Sequence, residues 1–167
     1  MIIRCAQPED AAGIAGVQVD SWRETYGGIV PDSYLNRMST ADRKQKWAKK
    51  TGSVIVAESR GEIVGFIHYG PERSGSWPGF DGELYALYIR RRHHRQGIGI
   101  QLFNAAVNEL EQLGCRSAVC CVLAENESAR LFYEAHGGKQ IGDDTFFIDD
   151  VRMHEVIYGW DQLPRRQ

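Results

Sequence analysis

The residues best suited to chemistry form a basic loop that ends in two glycines. Four arginines and two histidines fill six consecutive positions, followed by Gly97 and Gly99: Arg90, Arg91, Arg92, His93, His94 and Arg95. A predicted strand precedes this loop and a predicted long helix follows it, so free backbone N–H groups and the positive end of the helix dipole converge at the turn. Arginine forks match phosphate oxygens, and glycines let an anion approach the backbone closely. The segment therefore predicts a phosphate-binding turn, although arginine-rich loops are also common as solvated surface.

Other interpretations of this loop fit the sequence less well. A dinucleotide-binding fingerprint requires a third glycine where the chain has Leu102, and a P-loop requires Lys and then Ser or Thr where it has Ile100 and Gln101. His93 and His94 are adjacent and lack a further His or Cys partner at helical spacing, so no metal site is predicted.

Composition narrows the classes of protein further. The 167 residues carry 20 basic and 22 acidic side chains, for a net charge of −2, which argues against binding nucleic acid or an anionic membrane by bulk charge. The four cysteines show neither zinc-ligand spacing nor a disulfide framework: Cys5, Cys115, Cys120 and Cys121. The first residues lack the apolar stretch of a signal peptide or membrane helix. We therefore expect a cytoplasmic protein with reduced thiols.

Hydrophobic periodicity and turn residues predict an alternation of helices and strands. The expected strands cover 2–6, 54–57, 63–69, 83–89 and 117–123 and a final hairpin within 139–160; the expected helices begin at Pro8 and near 32, 40, 97 and 125. Segment 70–82 reads as a loop that carries one large apolar residue, Trp77. This order predicts an α/β fold with a mixed sheet, forming one domain over residues 1–167.

Two segments resemble motifs of the GNAT superfamily of acyl-CoA-dependent N-acetyltransferases. The cofactor motif of that family reads Gln or Arg, two residues, Gly, one residue, then Gly or Ala; this chain has His94, Arg95, Gln96, Gly97, Ile98 and Gly99, with histidine at the first position. The late motif contains an asparagine, a Phe-Tyr pair and Gly-Phe; this chain has Asn126, Phe132 and Tyr133, with Gly138 in place of the phenylalanine. Both motifs occur in the expected order, and the resemblance extends from Ile2 over nearly the whole chain.

The resemblance implies a fold and a cofactor. It implies a mixed, largely antiparallel sheet of about seven strands, splayed in the middle and flanked by about four helices. Acetyl-CoA, with no metal, would enter the opening between strands 83–89 and 117–123. The implied contacts are the main chain of Leu87, Tyr88 and Ile89, the turn formed by His94, Arg95, Gln96, Gly97, Ile98, Gly99 and Ile100, and the side chains of Asn126 and Tyr133. Asn126 is equally suited to capping a helix.

The resemblance also implies catalytic roles for a carboxylate and a phenol. Similar enzymes place a glutamate at the start of the strand, where this chain has Glu83, and strand alternation predicts the same face for Glu83, Tyr85 and Leu87. Glu83 would take a proton from the amine directly or through water, or would only open the strand or attract the ammonium. Tyr133 would donate a proton to the departing CoA thiolate, or would be a core aromatic residue.

The resemblance also implies an acceptor pocket built from the first helices and the loop after them, with Glu83 and Tyr85 of the strand. The implied lining from the helix and loop is Trp22, Tyr26, Gly27, Gly28, Ile29 and Val30. Trp22 and Tyr26 share a helical face at a spacing of four, and the alternative for both is a core position. A covalent route through Cys120 or Cys121 is disfavoured, because strand neighbours face opposite sides and no neighbouring histidine would activate either thiol.

The leading hypothesis is therefore an N-acetyltransferase that moves an acetyl group directly from acetyl-CoA to an amine in a ternary complex. The amine would belong to a small molecule, an amino-acid derivative or a peptide amino terminus, and the resemblance is compatible with a homodimer. One alternative is a non-catalytic acyl-CoA sensor of the same fold. Another is a nucleic-acid or phosphoprotein binder that uses the arginine cluster.

Overall fold

Seven strands and five α-helices make up the fold in the computed structural model, which describes residues 1–164. The strands are β1 (Ile2–Cys5), β2 (Val54–Ser59), β3 (Glu62–Pro71), β4 (Gly82–Ile89), β5 (Ala118–Leu123), β6 (Lys139–Ile148) and β7 (Val151–Trp160). The helices are α1 (Ala11–Tyr26), α2 (Asp32–Arg37), α3 (Thr40–Ala48), α4 (Ile98–Gln112) and α5 (Glu127–Ala135). The last three residues of the predicted domain 1–167 lie outside the described residues.

All seven strands belong to one mixed sheet in the order β1-β2-β3-β4-β5-β7-β6. Only the central β4–β5 pair is parallel, and the other five pairs are antiparallel. This confirms the predicted mixed, largely antiparallel sheet, with five α-helices where about four were expected. No helix within residues 1–164 combines the length and the apolar character that crossing a membrane requires.

The sheet opens at its centre. The strands β4 and β5 pair through Gly82 with Ala118 and through Glu83 with Val119, and then diverge. From Leu84 onward, no strand of the described chain pairs with the edge of β4 that faces β5. The predicted splay is therefore confirmed, and it begins beside Glu83.

A β-bulge in β4 lies just past the point of divergence. In the ladder with β3, Leu84 pairs with Tyr69 and Ala86 pairs with His68, so Tyr85 is the extra residue. A bulge interrupts the alternation of side chains between the two faces of a strand.

The bulge changes which β4 side chains share a face. Leu84 and Leu87 both pack into the core beneath α4, whereas Tyr85 and Ala86 both line a cleft on the opposite face, beside α1 and α3. Glu83 belongs with Tyr85, because both contact Arg73. The predicted common face of Glu83, Tyr85 and Leu87 is therefore wrong for Leu87.

The largest core lies between the sheet and α4. Buried positions of α4 recur at helical spacing and include Leu102, Phe103, Ala106, Val107 and Leu110. Helix α1 covers the opposite face, where its residues pack with Trp47 of α3 and Phe66 of β3. The site described below therefore lies where the sheet has helices on both sides.

The loop between β3 and β4 crosses the sheet beside the paired ends of β4 and β5 and packs on the far half of the sheet. Trp77 lies over Gly142 of β6, where an added Cβ would lie 2.8 Å from the indole ring. Phe80 lies over Gly159 of β7 at the same calculated distance of 2.8 Å. At the end of the loop, the Asp81 amide donates to the Ser117 hydroxyl at 2.9 Å. The predicted loop is thus held by aromatic side chains that fit over glycines.

The Trp77 contact predicts a stability change. The substitution Gly142→Ala should lower the free energy of unfolding by about 1–3 kcal/mol, because the new methyl group overlaps the indole. Urea denaturation of both proteins measures the change. The matched control is Gly52→Ala, where an added Cβ meets nothing within 4 Å, so its effect should stay within about 0.5 kcal/mol. Equal stability of the two variants would contradict the fit of Trp77 over Gly142.

Candidate active site

The basic loop and the start of α4 present a row of backbone amides. Gly97 adopts a left-handed conformation, with φ of +74°, and caps the helix that begins at Ile98. The Gln101 amide donates to the Gly97 carbonyl at 3.3 Å and begins the helical ladder. The amides of Ile98, Gly99 and Ile100 belong to the first turn, which has no intrahelical acceptors, so they can receive an anion.

Glycine is favoured at positions 97 and 99 of the turn for different structural reasons. A Cβ on Gly97 would meet only the Gln101 side-chain nitrogen at 3.9 Å, so the positive φ rather than lack of space favours glycine there. A Cβ on Gly99 would lie 3.2 Å from the Phe132 ring, so glycine there lets α4 approach α5 closely.

His94 fastens the loop to the end of β4. One of its imidazole nitrogens, Nε2, lies 2.8 Å from the Ile89 carbonyl oxygen. The following residue, Arg95, has a φ of +61°, and Gln96 donates from Nε2 to the Arg92 carbonyl at 3.2 Å. These contacts fix the path of the chain from the open edge of β4 to the amides of α4.

The four arginines of the loop divide into two groups. Arg90 forms an ion pair with Asp20 of α1, and Arg92 donates to both carboxylate oxygens of Glu62 at 2.6 Å. Within residues 1–164, Arg91 and Arg95 form no ion pair. The sequence analysis assigned all four arginines to the binding of phosphate. Because Arg90 and Arg92 already have carboxylate partners, the positive charge for a phosphate comes from Arg91 and Arg95.

Glu83 is a buried carboxylate at the point where the sheet opens. It is 7% exposed, and Arg73 of the crossing loop donates to it from the backbone amide at 3.3 Å and from Nε at 3.2 Å. Burial raises the pKa of Glu83, and the positive charge of Arg73 partly offsets the rise. A carboxylate of this kind can exchange a proton closer to neutral pH than an exposed one can.

Tyr85 stands beside Glu83 on the cleft side. The Arg73 guanidinium carbon lies 4.2 Å from the centroid of its ring, and its hydroxyl donates to the Pro71 carbonyl at 2.6 Å. The ring passes over Gly70, where a Cβ would lie 2.5 Å from the phenol oxygen. His68 packs edge-on against the other part of the ring at 4.6 Å between centroids.

Three of the predicted residues meet on the helix side of the opening. The Trp22 indole donates to the Tyr88 hydroxyl at 2.9 Å, and the Trp22 and Tyr26 rings pack edge to face at 4.9 Å. The Tyr88 side chain therefore reaches across to α1, while its backbone remains part of β4. Tyr26 belongs to a core cluster against which Trp22 packs, and Trp22 also lines the cleft described below. Their role as an acceptor pocket stays a prediction.

Asn126 caps α5 and lies close to Tyr26 of α1, and Tyr133 belongs to the same helix. The Asn126 side chain accepts from the Ala129 amide at 3.2 Å, which is the helix cap considered above, and its amide nitrogen lies 3.5 Å from the Tyr26 hydroxyl. Tyr133 is 6% exposed, and burial raises the pKa of its phenol well above the usual value. Its phenol lies within electrostatic reach of Tyr88 on β4.

The two adjacent cysteines of β5 face opposite sides, as strand alternation predicts. Cys120 is buried in the α4 core, and burial raises the pKa of its thiol. Partial burial, followed by the charge of Glu155, raises the pKa of the Cys121 thiol to about 12. Both thiols therefore stay protonated at neutral pH, which makes them poor nucleophiles.

A cleft of about 250 Å³ adjoins Tyr85 on the α1 and α3 face. Its lining includes the predicted Trp22, Tyr85 and Tyr88 together with residues that the sequence analysis did not select: Gln18, Arg43, Lys46, Trp47, Lys50, His68, Arg73 and Ala86. A signal for part of this set exists in the sequence, because residues 43, 46, 47 and 50 follow the i, i+3, i+4, i+7 spacing of one helix face, although α3 itself ends at Ala48.

The residues present fit an acyl-CoA molecule better than a metal ion. The open edge of β4 can pair with an extended amide-containing chain, and the first turn of α4 can accept a pyrophosphate. Among residues 1–164, no group of three or more His, Cys, Asp or Glu side chains is placed to hold a metal ion.

Known proteins share these features. The sequence profile of the acetyltransferase (GNAT) family matches residues 18–138. The chain is 38% identical over 163 residues to the uncharacterised N-acetyltransferase YuaI of Bacillus subtilis, covering 96% of this chain and 93% of that protein. It is 27% identical over 149 residues to the L-methionine sulfoximine/L-methionine sulfone acetyltransferase of Pseudomonas aeruginosa, covering 81% of each.

A solved structure shares the fold. The PaiA N-acetyltransferase of Thermoplasma acidophilum, in complex with coenzyme A, superposes with a TM-score of 0.77 at 20% identity, covering 95% of this chain and 96% of that one. The resemblance stated from the two sequence motifs is thereby confirmed. With a profile match over most of its length and a relative of this identity across almost all of it, the chain belongs to the acetyltransferase (GNAT) family and is an acyltransferase.

Proposed function

We propose that this protein transfers an acetyl group from acetyl-CoA directly to a primary amine in a ternary complex. The amine belongs to a small molecule, an amino-acid derivative or a peptide amino terminus. The observation that carries the proposal is the open edge of β4, which adjoins both the amide row of α4 and the buried Glu83. The predicted cytoplasmic location and homodimer stay predictions.

The acyl donor would lie along the opening. When bound, acetyl-CoA supplies an activated thioester. The main chain of Leu87, Tyr88 and Ile89 would pair with the pantetheine arm, and the turn from His94 to Ile100 would hold the pyrophosphate through its amides. Arg91 and Arg95 add countercharge nearby. Asn126 would bond a pantetheine amide with the part of its side chain that does not cap α5.

Glu83 is the proposed base. An ammonium ion is no nucleophile, so the acceptor must lose a proton before it attacks, and Glu83 would take that proton directly or through water. An amide of β4 near Leu87 would then stabilise the negative charge that develops on the thioester oxygen. The thiols of Cys120 and Cys121 are protonated, which supports direct transfer over a covalent acetyl-enzyme.

Tyr133 is the proposed acid. Its buried phenol keeps its proton at neutral pH and can donate it to the sulfur of the departing CoA. The acceptor would enter from the cleft side, between Trp22, Tyr26 and Tyr85. The Pseudomonas relative is named for acting on amino-acid derivatives, which supports an acceptor of similar size.

The primary test is thiol release. Incubation with acetyl-CoA and a panel of primary amines should liberate free CoA thiol in proportion to acetylated amine, followed with a thiol reagent and mass spectrometry. Calorimetry should show binding of CoA to the protein alone. Absence of CoA binding would overturn the proposal, and CoA binding without thiol release from any amine would favour the acyl-CoA sensor.

A second test concerns the base. The substitution Glu83→Gln should slow transfer roughly 10²–10⁴-fold near neutral pH, and the deficit should shrink at high pH, where the amine is already neutral. In the unsubstituted enzyme, the rate should rise with pH as Glu83 loses its proton.

A further prediction concerns Arg73, whose positive charge lowers the pH at which Glu83 loses its proton. Because Arg73 opposes the burial-induced rise in the Glu83 pKa, Arg73→Gln should move the acidic limb of the pH–rate profile to higher pH. The matched control is Arg37→Gln, which removes an exposed ion pair with Asp149 and should leave the limb in place. A limb that does not move in the Arg73 variant would argue against Glu83 as the titrating base.

A third test concerns the acid. The substitution Tyr133→Phe should lower kcat roughly 10²–10⁴-fold while leaving CoA affinity nearly unchanged. Because burial raises the pKa of Tyr133, the enzyme should show no descending limb from this phenol below about pH 10. Tyr69→Phe is the control, since Tyr69 is another buried tyrosine, whose hydroxyl faces Glu109. Equal effects in both variants would assign Tyr133 to the core alone.

A further inference from the structure

The cleft beside Tyr85 carries more positive charge than its surroundings neutralise. Four cationic side chains line it: Arg43, Lys46, Lys50 and Arg73. Arg73 pairs with Glu83 at 3.2 Å, but within residues 1–164 the other three form no ion pair with a carboxylate. Like charges gathered around a concave surface attract anions and raise their local concentration.

Helix α3 and the segment after it hold three of these cations. Arg43 and Lys46 lie one turn apart on α3 on either side of the direction of Trp47, and Lys50 lies two residues beyond the end of the helix at Ala48. The Trp47 indole is buried and donates to the Gln18 side chain of α1 at 2.9 Å. This contact fixes the rotation of α3, so Arg43 and Lys46 border the cleft, at whose rim Lys46 and Lys50 are also exposed to solvent.

The histidine of the cleft, His68, does not change this positive charge at neutral pH. His68 packs edge-on between Trp47 and Tyr85, with ring centroids 5.2 and 4.6 Å away. Burial, then the charges of Lys50 and Arg73, lower the pKa of His68 to about 4, so the imidazole is neutral at pH 7. Two carboxylates act on Arg73: Glu83 pairs with it at 3.2 Å, and Glu72 of the same loop lies within range of its charge.

We infer that the acceptor carries an anionic group as well as its amine, and that Arg43, Lys46, Lys50 and Arg73 bind this group. The inference rests on the proposed function and specifies its substrate class: a small zwitterionic amine, of which an α-amino acid is the simplest. Arg73 touches Glu83, so an ammonium drawn to Glu83 and a carboxylate drawn to Arg73 would be neighbours. In an α-amino acid the two groups share one carbon atom.

Two other acceptor classes fit the cleft poorly. A polyamine would bring a second cation among Arg43, Lys46 and Lys50 and would be repelled. A peptide amino terminus has an amide where the α-amino acid has its carboxylate. The cleft volume of about 250 Å³ is also below the range of roughly 300–1,000 Å³ that is typical of drug-sized ligands, which favours a single small molecule.

The test compares each amino acid with its carboxamide, which lacks the negative charge of the carboxylate. The common L-amino acids other than proline and cysteine, together with L-methionine sulfone, are each assayed beside their carboxamides, with acetyl-CoA as donor and thiol release as readout. The carboxamide keeps the amine and side chain but lacks the negative charge. Its amine is less basic, so more of it is neutral at pH 7.5, which by itself favours the carboxamide. A kcat/KM at least about 10-fold higher for the best acids than for their carboxamides is therefore expected.

Charge-removing variants assign the effect to the cleft. The double variant Lys46→Met/Lys50→Met should lower kcat/KM for the best acid roughly 10- to 100-fold, mainly through KM, and leave its carboxamide almost unchanged. The matched control is Lys44→Met/Lys49→Met, which removes the same charge from the same segment outside the cleft and should preserve the acid-to-carboxamide ratio. An equal drop in both double variants would overturn the assignment.

The remaining outcomes separate the two proposals. Turnover with carboxamides or diamines that equals or exceeds turnover with the acids overturns the anionic acceptor and leaves the N-acetyltransferase function standing. If no amine releases thiol, the proposed function fails. Calorimetry of the N-acetyl amino acids and their carboxamides against the CoA-loaded protein then decides the anion site. Tighter binding of the acids, weakened by the Lys46 and Lys50 substitutions, supports it, and equal binding of acids and carboxamides overturns it.

Discussion

The early end of pairing between β4 and β5 is the constraint on which the rest of the structure depends. These strands share only two residue pairs, whereas β4 shares seven with β3 and β5 shares six with β7. Each strand is therefore held firmly on its outer side and left free on its inner side. Backbone amides and carbonyls require partners, so an open edge in the middle of a sheet is a place for water or for a ligand that can pair like a strand. The hydroxyls of Tyr26 and Tyr88 meet beside this opening from α1 and β4.

The β-bulge at Tyr85 adapts one strand to two tasks. Before and after it, Leu84 and Leu87 face the core beneath α4, while Tyr85 and Ala86 face the cleft. Without the extra residue, strand alternation would turn either the core residues or the cleft residues to the wrong side. The bulge thus lets β4 keep its ladder with β3, keep its apolar face buried and present its other face to an acceptor.

The features that could be predicted from the sequence are those that depend on near neighbours in the chain. The glycine turn, the start of α4 and the apolar strand β5 follow from local patterns, and the family resemblance carried by the two motifs supplied the mixed sheet with its central splay. The bulge could not be predicted, because it depends on which residue of β3 opposes Tyr85. The pairing of Arg90 with Asp20, and of Arg92 with Glu62, joins residues far apart in sequence, so the loop appeared to offer four free arginines. The cationic cleft was missed for a similar reason, since Arg73 and α3 meet only in the folded chain.

The loop that carries Arg73 also has a consequence for how this protein can change. Because Trp77 and Phe80 fit over Gly142 and Gly159, the loop is a cross-brace between the two halves of a split sheet. A new acceptor preference cannot be acquired by exchanging this loop alone. Any replacement must either retain aromatic rings that fit those two glycines or arrive together with substitutions on β6 and β7. Selection on substrate choice therefore acts jointly on segments that lie more than sixty residues apart in the sequence.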